Sequence, residues 1–360
     1  MPDNFRWITR KYTIEFLTPA FLGGADQSGQ WRTPPFKALL RQWWRVAWAA
    51  ERKFQANVGE MRQREGRLFG NAWLEKQVNG RKETEALRSL FRLRLSSWAG
   101  GGRKSWQGLE GQAIRHPEVE QPVGAHLYLG YGPLIYDRQS RQTALKAPPC
   151  IDAGSSAELQ LALPEPEAKA MEAVLALLHL YGAAGGRSRN GWGSFRLVPA
   201  DGQRLKAAVP LRDWRQALEL DWPHCIGKDE KGPLIWRTRR AYADWKELMR
   251  HLAELKIGFR TQFRFPLNVR VHAHPENRHW LAYPVTNHGV AGWGNQARLP
   301  NQLRFKVRRA NDGNQLVGIV YHMPCRPPDS FSPDMAVVQR VWESVHDFLD
   351  NAQLLQRSQE

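Results

Sequence analysis

Two groups of residues have the spacing and chemistry to hold a polyanion. Lys37, Arg41, Trp44, Arg45, Trp48 and Arg52 recur at three- and four-residue steps, so on a helix they form one stripe of cations and indoles. The second group is the run Gly182-Ala183-Ala184-Gly185-Gly186-Arg187-Ser188-Arg189-Asn190-Gly191-Trp192-Gly193. Its glycines permit positive φ and remove Cβ atoms, so backbone amides can approach phosphates while Arg187 and Arg189 add charge. Guanidinium grips phosphate through paired hydrogen bonds and stacks on bases, the chemistry of single-stranded nucleic acid held by charge and stacking. The run is neither a Walker loop nor a dinucleotide fingerprint, because no Gly-Lys-Ser/Thr follows and it ends a helix instead of opening one. A purely structural turn is the competing reading.

These groups need a scaffold. Thr33 followed by Pro34-Pro35 predicts a helix start. Phe36, Leu39, Leu40, Trp43, Val46, Ala47 and Ala50 then form its apolar face, so the cation and indole stripe is expected to face away from the core. Burial of Trp44 and Trp48 under a neighbouring domain is the alternative. Tyr12 to Phe16, Leu87 to Ser96, Ala125 to Tyr131 and Ala157 to Leu163 read as strands, Glu167 to Tyr181 as a helix stopped by Gly182, and Trp192 to Val198 as a closing strand. Strand, helix, strands, helix, strand is the ferredoxin-like order. Further on, Trp245 to Ile257 reads as a helix, Thr261 to Val271 as a strand, Leu303 to Arg309 and Gln315 to Tyr321 as strands around Asn311-Asp312-Gly313, and Met335 to Leu349 as a helix. The expectation is an α+β protein of two ferredoxin-like (RRM-like) domains in tandem, 1–205 and 206–360, the second divergent, joined near the turn residues Ala200-Asp201-Gly202-Gln203.

Composition agrees with a polyanionic partner. The 360 residues carry a net charge of +17, with 38 Arg against 14 Lys, and 16 Trp. Residues 31–70 have net +6 and residues 255–310 net +9, so both halves hold a basic stretch. Three distant cysteines (Cys150, Cys225, Cys325) offer no disulfide framework. With no apolar run long enough for a bilayer and no signal-peptide pattern after Met1-Pro2-Asp3-Asn4, the expectation is a cytoplasmic protein without a membrane partner. His272 and His274 would share a strand face, with His279 and His288 following, a pattern compatible with metal-independent RNA cleavage. Their spacing fits no common zinc site, and Asp26 lacks a nearby second carboxylate, so neither metal nor other cofactor is expected.

Two stretches together resemble the RAMP superfamily of CRISPR-associated proteins. Gly186-Arg187-Ser188-Arg189-Asn190-Gly191-Trp192-Gly193-Ser194 is similar to the glycine-rich loop of that family. Leu17-Thr18-Pro19-Ala20-Phe21-Leu22-Gly23-Gly24-Ala25-Asp26, with Arg32-Thr33-Pro34-Pro35-Phe36-Lys37-Ala38-Leu39-Leu40-Arg41-Gln42-Trp43-Trp44-Arg45, is similar to the family of first subunits of the type III-B (Cmr) effector complex. The run departs from that pattern at Ala38, where the family generally has glycine. Weaker echoes lie at Tyr283-Pro284-Val285 and from Arg298-Leu299-Pro300 to Val307. The resemblance implies a non-catalytic subunit that meets guide (CRISPR) RNA near its 3′ end, target RNA, and the other Cmr subunits. The positions it singles out for RNA contact are Arg32, Lys37, Arg41, Trp44, Arg45, Gly185, Gly186, Arg187, Ser188, Arg189, Asn190 and Gly191. The alternative within the superfamily is a metal-independent endoribonuclease that processes precursor CRISPR RNA.

Overall fold

The computed structural model describes residues 6–55, 57–78, 81–109, 112–266, 269–294, 296–310 and 313–358, so Met1-Pro2-Asp3-Asn4 and the turn residues Asn311 and Asp312 lie outside the described residues. The protein is α+β with antiparallel sheets and divides into two compact units. One comprises Met1–Lys104, Ala147–Gly186 and Trp192–Pro210, and the other Ser105–Lys146, Arg187–Gly191 and Leu211–Glu360. The glycine-rich run is therefore shared, with Gly185 and Gly186 in the first unit and Arg187 to Gly191 in the second.

In the first unit, β1 (Trp7–Phe16), α1 (Thr33–Glu51), α2 (Val58–Phe69), β2 (Arg92–Leu95), β3 (Ser156–Pro164), α3 (Ala168–Tyr181) and β4 (Phe195–Pro199) follow one another. The sheet order is β4-β1-β3-β2, every neighbouring pair antiparallel. Alternation fixes the faces: Tyr12, Ile14 and Phe16 are buried while Thr9, Lys11 and Thr13 are exposed. Against the buried face pack Phe36, Leu40 and Trp43 of α1 and Val174, Leu175 and Leu178 of α3. The N-cap of α1 is Arg32 in extended backbone, with Thr33 already helical and Pro34 in the first turn, so no hydroxyl caps this helix as the sequence suggested. A hairpin, Asn71–Val78 with Arg81–Leu87, and α2 with its Asn57 cap were not anticipated.

The second unit contains β5 (Ile235–Thr238), α4 (Trp245–Thr261), β6 (Leu303–Arg309), β7 (Leu316–His322), α5 (Met335–Asn351) and β8 (Leu355–Arg357). Its sheet order is β6-β7-β5-β8, again antiparallel. Asp244 and Asp334 cap α4 and α5, each carboxylate accepting from backbone amides of the first turn. Two expected strands are corrected. Ala125–Gly130 is a short helix whose Ala125, His126 and Leu129 are buried, a one-and-four spacing that a seven-residue apolar run does not separate from alternation. Thr261 to Val271 is not one continuous strand: α4 runs on to Thr261, whose hydroxyl donates to the Ile257 carbonyl, Leu267 and Asn268 lie outside the described residues, and Val271–His272 pairs with Gly289–Val290. Among the described residues no helix is long and apolar enough to cross a membrane.

Candidate nucleic-acid interface

The α1 stripe exists in sequence but is not an open row of cations and indoles. Glu65 of α2 is buried and faces it. Arg41 donates to Oε1 through Nε at 2.6 Å and Nη2 at 2.5 Å, while Arg45 donates through Nε to Oε2 at 2.6 Å and through Nη2 to Oε1 at 2.8 Å. Burial works to raise the Glu65 pKa, yet the hydrogen bonds and charges of Arg45 and Arg41 outweigh it and hold the carboxyl below its usual range. The two arginine side chains stay 38% and 42% exposed, so each presents an outer edge. Trp44, expected to face outward, is 4% exposed and packs on Phe69 and Trp48, ring centroids 6.1 Å away in both cases. Its burial removes it from base stacking. Trp48 is also buried, with the Arg52 guanidinium 3.9 Å over its ring. Lys37 is half-buried, and burial first, then Arg41, push its ammonium below the usual lysine range. Arg32 serves the fold, donating Nη1 to the Gly23 carbonyl at 2.6 Å.

The glycines of the second group are used by the chain itself. Gly185 has φ of +94°, and a Cβ there would lie 2.6 Å from the Phe21 carbonyl oxygen. The Gly186 amide donates to that same oxygen at 2.9 Å, and the Asn190 and Gly191 amides close two consecutive turns onto the Arg187 and Ser188 carbonyls. These three amides are therefore not a phosphate cradle, which corrects the sequence expectation. The turns instead aim side chains.

Arg187, Ser188, Arg189 and Asn190 line a cavity of ≈ 970 Å³ within the second unit, together with Lys256 and Arg260 from α4, Arg298, and the tyrosines Tyr128, Tyr131 and Tyr283. Five cations converge there, and no carboxylate lines it among the described residues. Asn190 anchors the loop: Nδ2 donates to the Leu129 carbonyl at 2.7 Å and Oδ1 accepts from Lys256 Nζ at 2.8 Å. The Arg189 carbonyl accepts from the Phe305 amide of β6 at 2.9 Å. Burial, and then the charge of Arg304, lower the Arg189 pKa to about 10. Burial followed by Arg260 and Arg187 pushes the Lys256 ammonium well below its ordinary range. Cations crowded in a cavity with no carboxylate among its described lining residues repel one another, and an arriving anion relieves that repulsion. Sequence reading missed Lys256, Arg260, Arg298 and Tyr131; the signal was the +9 charge of residues 255–310 and the four-residue step from Lys256 to Arg260.

His272 does not join His274, which is exposed. It meets His288 instead, Nε2 to Nδ1 at 3.0 Å, with Phe265 stacked on His288 at 3.8 Å between centroids. His279 is buried beside them, Nδ1 accepting from the Glu276 amide and Nε2 donating to the His288 carbonyl at 3.1 Å. Asp26 is exposed and accepts from the amide and hydroxyl of Ser28. No group of three His, Cys, Asp or Glu among the described residues is placed to hold a metal ion.

No curated protein matches the chain. Among solved structures, Cmr1 from Pyrococcus furiosus in its apo form is similar at TM-score 0.44 and 13% identity, covering 94% of this chain and 96% of that one. A chain of the type III-B Cmr-beta complex, bound to cognate target RNA and AMPPnP in the presence of single-stranded DNA, is similar at TM-score 0.44 and 10% identity, covering 94% and 99%. A family model described as the RAMP superfamily matches residues 13–196, from within β1 to within β4 and through the glycine-rich run. That match spans more than half of the sequence, and the chain belongs to the RAMP superfamily.

Proposed function

We propose that the chain is a non-catalytic, RNA-binding subunit of a type III-B (Cmr) effector ribonucleoprotein, acting in the cytoplasm on guide and target RNA beside the other Cmr subunits. The observation that carries this reading is the cavity in which five cations, with no carboxylate among the described lining residues, converge on the arginine-bearing loop. Such a site holds phosphate without reading sequence, which suits a machine whose guide supplies specificity by base pairing. Membership of the superfamily and the resemblance of residues 17–45 to first subunits of the Cmr complex support the assignment. The two strand orders support reading both units as ferredoxin-like domains in tandem, since each runs strand, helix, two strands, helix, strand with the fourth and third strands flanking the first. The outer edges of Arg41 and Arg45, with Lys37, make a second contact region in this reading.

The test is RNA affinity against salt for the full chain and for its reconstituted effector complex. Arg187→Ala, Arg189→Ala and Lys256→Ala should each weaken binding about equally across sequences and reduce the logarithmic salt slope by roughly 0.7 for each phosphate no longer neutralised. Unchanged affinity in all three variants overturns the assignment of the cavity. The endoribonuclease alternative needs a histidine beside the RNA, and the burial of His272 and His279 argues against it. Site-specific shortening of RNA by the purified chain, lost in His288→Ala, would restore it.

A further inference from the structure

The cavity has more than phosphate chemistry at its rim. Tyr131 is 64% exposed and lines the cavity, with no ring contact among the described residues. A large aromatic left in water beside a cationic cavity is a platform looking for a flat partner. The next residue, Gly132, has φ of +118°, and a Cβ there would lie 3.4 to 3.5 Å from the Arg187 guanidinium. Arg187 thus lies against the bare backbone that follows Tyr131, which sets platform and cation side by side. Arg189 and Lys256 also line the cavity, with Lys256 Nζ 5.7 Å over the ring of Tyr128. The volume of ≈ 970 Å³ lies near the top of the range for small-ligand sites, ample for one nucleotide with its water.

Resting on the RNA-binding reading above, we propose that this cavity takes a single unpaired nucleotide turned out of its strand, its base on Tyr131 and its phosphate among Arg187, Arg189 and Lys256. A continuous duplex cannot offer an exposed base face, so the site selects unpaired RNA while remaining indifferent to base identity. Phosphate alone would have no use for Tyr131, and a base alone would have no use for three cations.

The experiment compares the full chain with Tyr131→Ala, Tyr131→Phe and Arg187→Ala on a short single-stranded RNA, on the same RNA with one abasic position stepped along it, and on free AMP and UMP. Circular dichroism monitors folding. Stacking on one base predicts that Tyr131→Ala binds intact RNA about five- to hundred-fold more weakly at unchanged salt slope, and that Tyr131→Phe binds as wild type. One abasic position should weaken the wild type by a similar factor and leave Tyr131→Ala unaffected. If Tyr131→Ala binds intact RNA as tightly as wild type while Arg187→Ala is weakened, the nucleotide site is overturned and the RNA-binding reading stands. If AMP or UMP saturates the wild type while RNA does not bind, the occupant is a free nucleotide and this proposal fails. If neither RNA nor nucleotide binds, the underlying reading fails with it.

Discussion

Acid should loosen the second unit through its buried histidines. His224, His279 and His346 are buried there, and burial is the largest cause that lowers their pKa values, to about 4 for His224 and His279 and about 3 for His346. In the unfolded chain the same rings titrate near 6.5. Between those values the unfolded state holds a proton that the folded state refuses, so stability is complete above about pH 7 and falls as pH drops through about 6.5. From pH 7.5 to 5.5 each ring costs about 1.4 kcal/mol, and the three together about 4 kcal/mol. His322 adds in the same direction, its pKa lowered first by burial and then by His346, which lies 2.9 Å away. The assay is urea denaturation of the full chain at both pH values, followed by tryptophan fluorescence, to which the buried Trp214, Trp236 and Trp342 contribute. With a slope of about 2–3 kcal/mol per molar, the midpoint should drop by roughly 1–2 M. His346→Gln should remove about 1.4 kcal/mol of that pH dependence, whatever it does to stability at pH 7.5. A midpoint that stays put or rises in acid would refute the reasoning, because the rings would then be protonated within the fold.

Three other outcomes follow from named side chains. Arg357 is 12% exposed and bridges Asp229 and Asp350, so Arg357→Ala removes the guanidinium from Asp229 and leaves Asp350 to Lys231 and Trp236, and should cost about 3 kcal/mol in a urea melt; Arg357→Lys should recover little, lacking the paired donors. Glu65→Gln should lower stability by about 2 kcal/mol, a modest loss because Arg41 and Arg45 return to water, and should steepen the salt dependence of RNA binding; weaker RNA binding would remove α1 from the interface. Gly193→Ala places a methyl against the Ala184 carbonyl at φ of +63° and should cut the thermal midpoint of the first unit or its soluble yield, measured by calorimetry and expression.

Long periodic segments were legible in the sequence: α1, α3 and α5 and strands β1, β6 and β7 appear where hydrophobic spacing placed them. Short ones were not, since Ala125–Gly130 satisfies both periods, and only packing on α4 selects the helix. For the site, the arginines of the glycine-rich run could be read directly, because φ > 0 and charge are local properties. Trp44 misled because a stripe opposite the apolar face looks solvated until α2, which had no strong apolar pattern, brings Glu65 and Phe69 across it. Lys256 and Tyr131 stand far from the loop in sequence and meet it only through tertiary folding.

The division of the chain also sets a timetable for its synthesis. Ser105–Lys146 leaves the ribosome early but belongs to the second unit, where Trp106 and His126 pack on Trp245 at ring distances of 6.3 and 5.1 Å. At elongation rates of about 5–20 residues per second, that partner emerges on the order of ten seconds later. During this interval the sheet of the first unit can close once β4 has emerged, while Trp106 and Leu129 wait uncovered. The insertion is thus a nascent-chain liability, and chaperone demand should concentrate on it and not on the termini. A stop placed after Pro210 would make the wait permanent, yielding a fragment whose central segment stays adhesive.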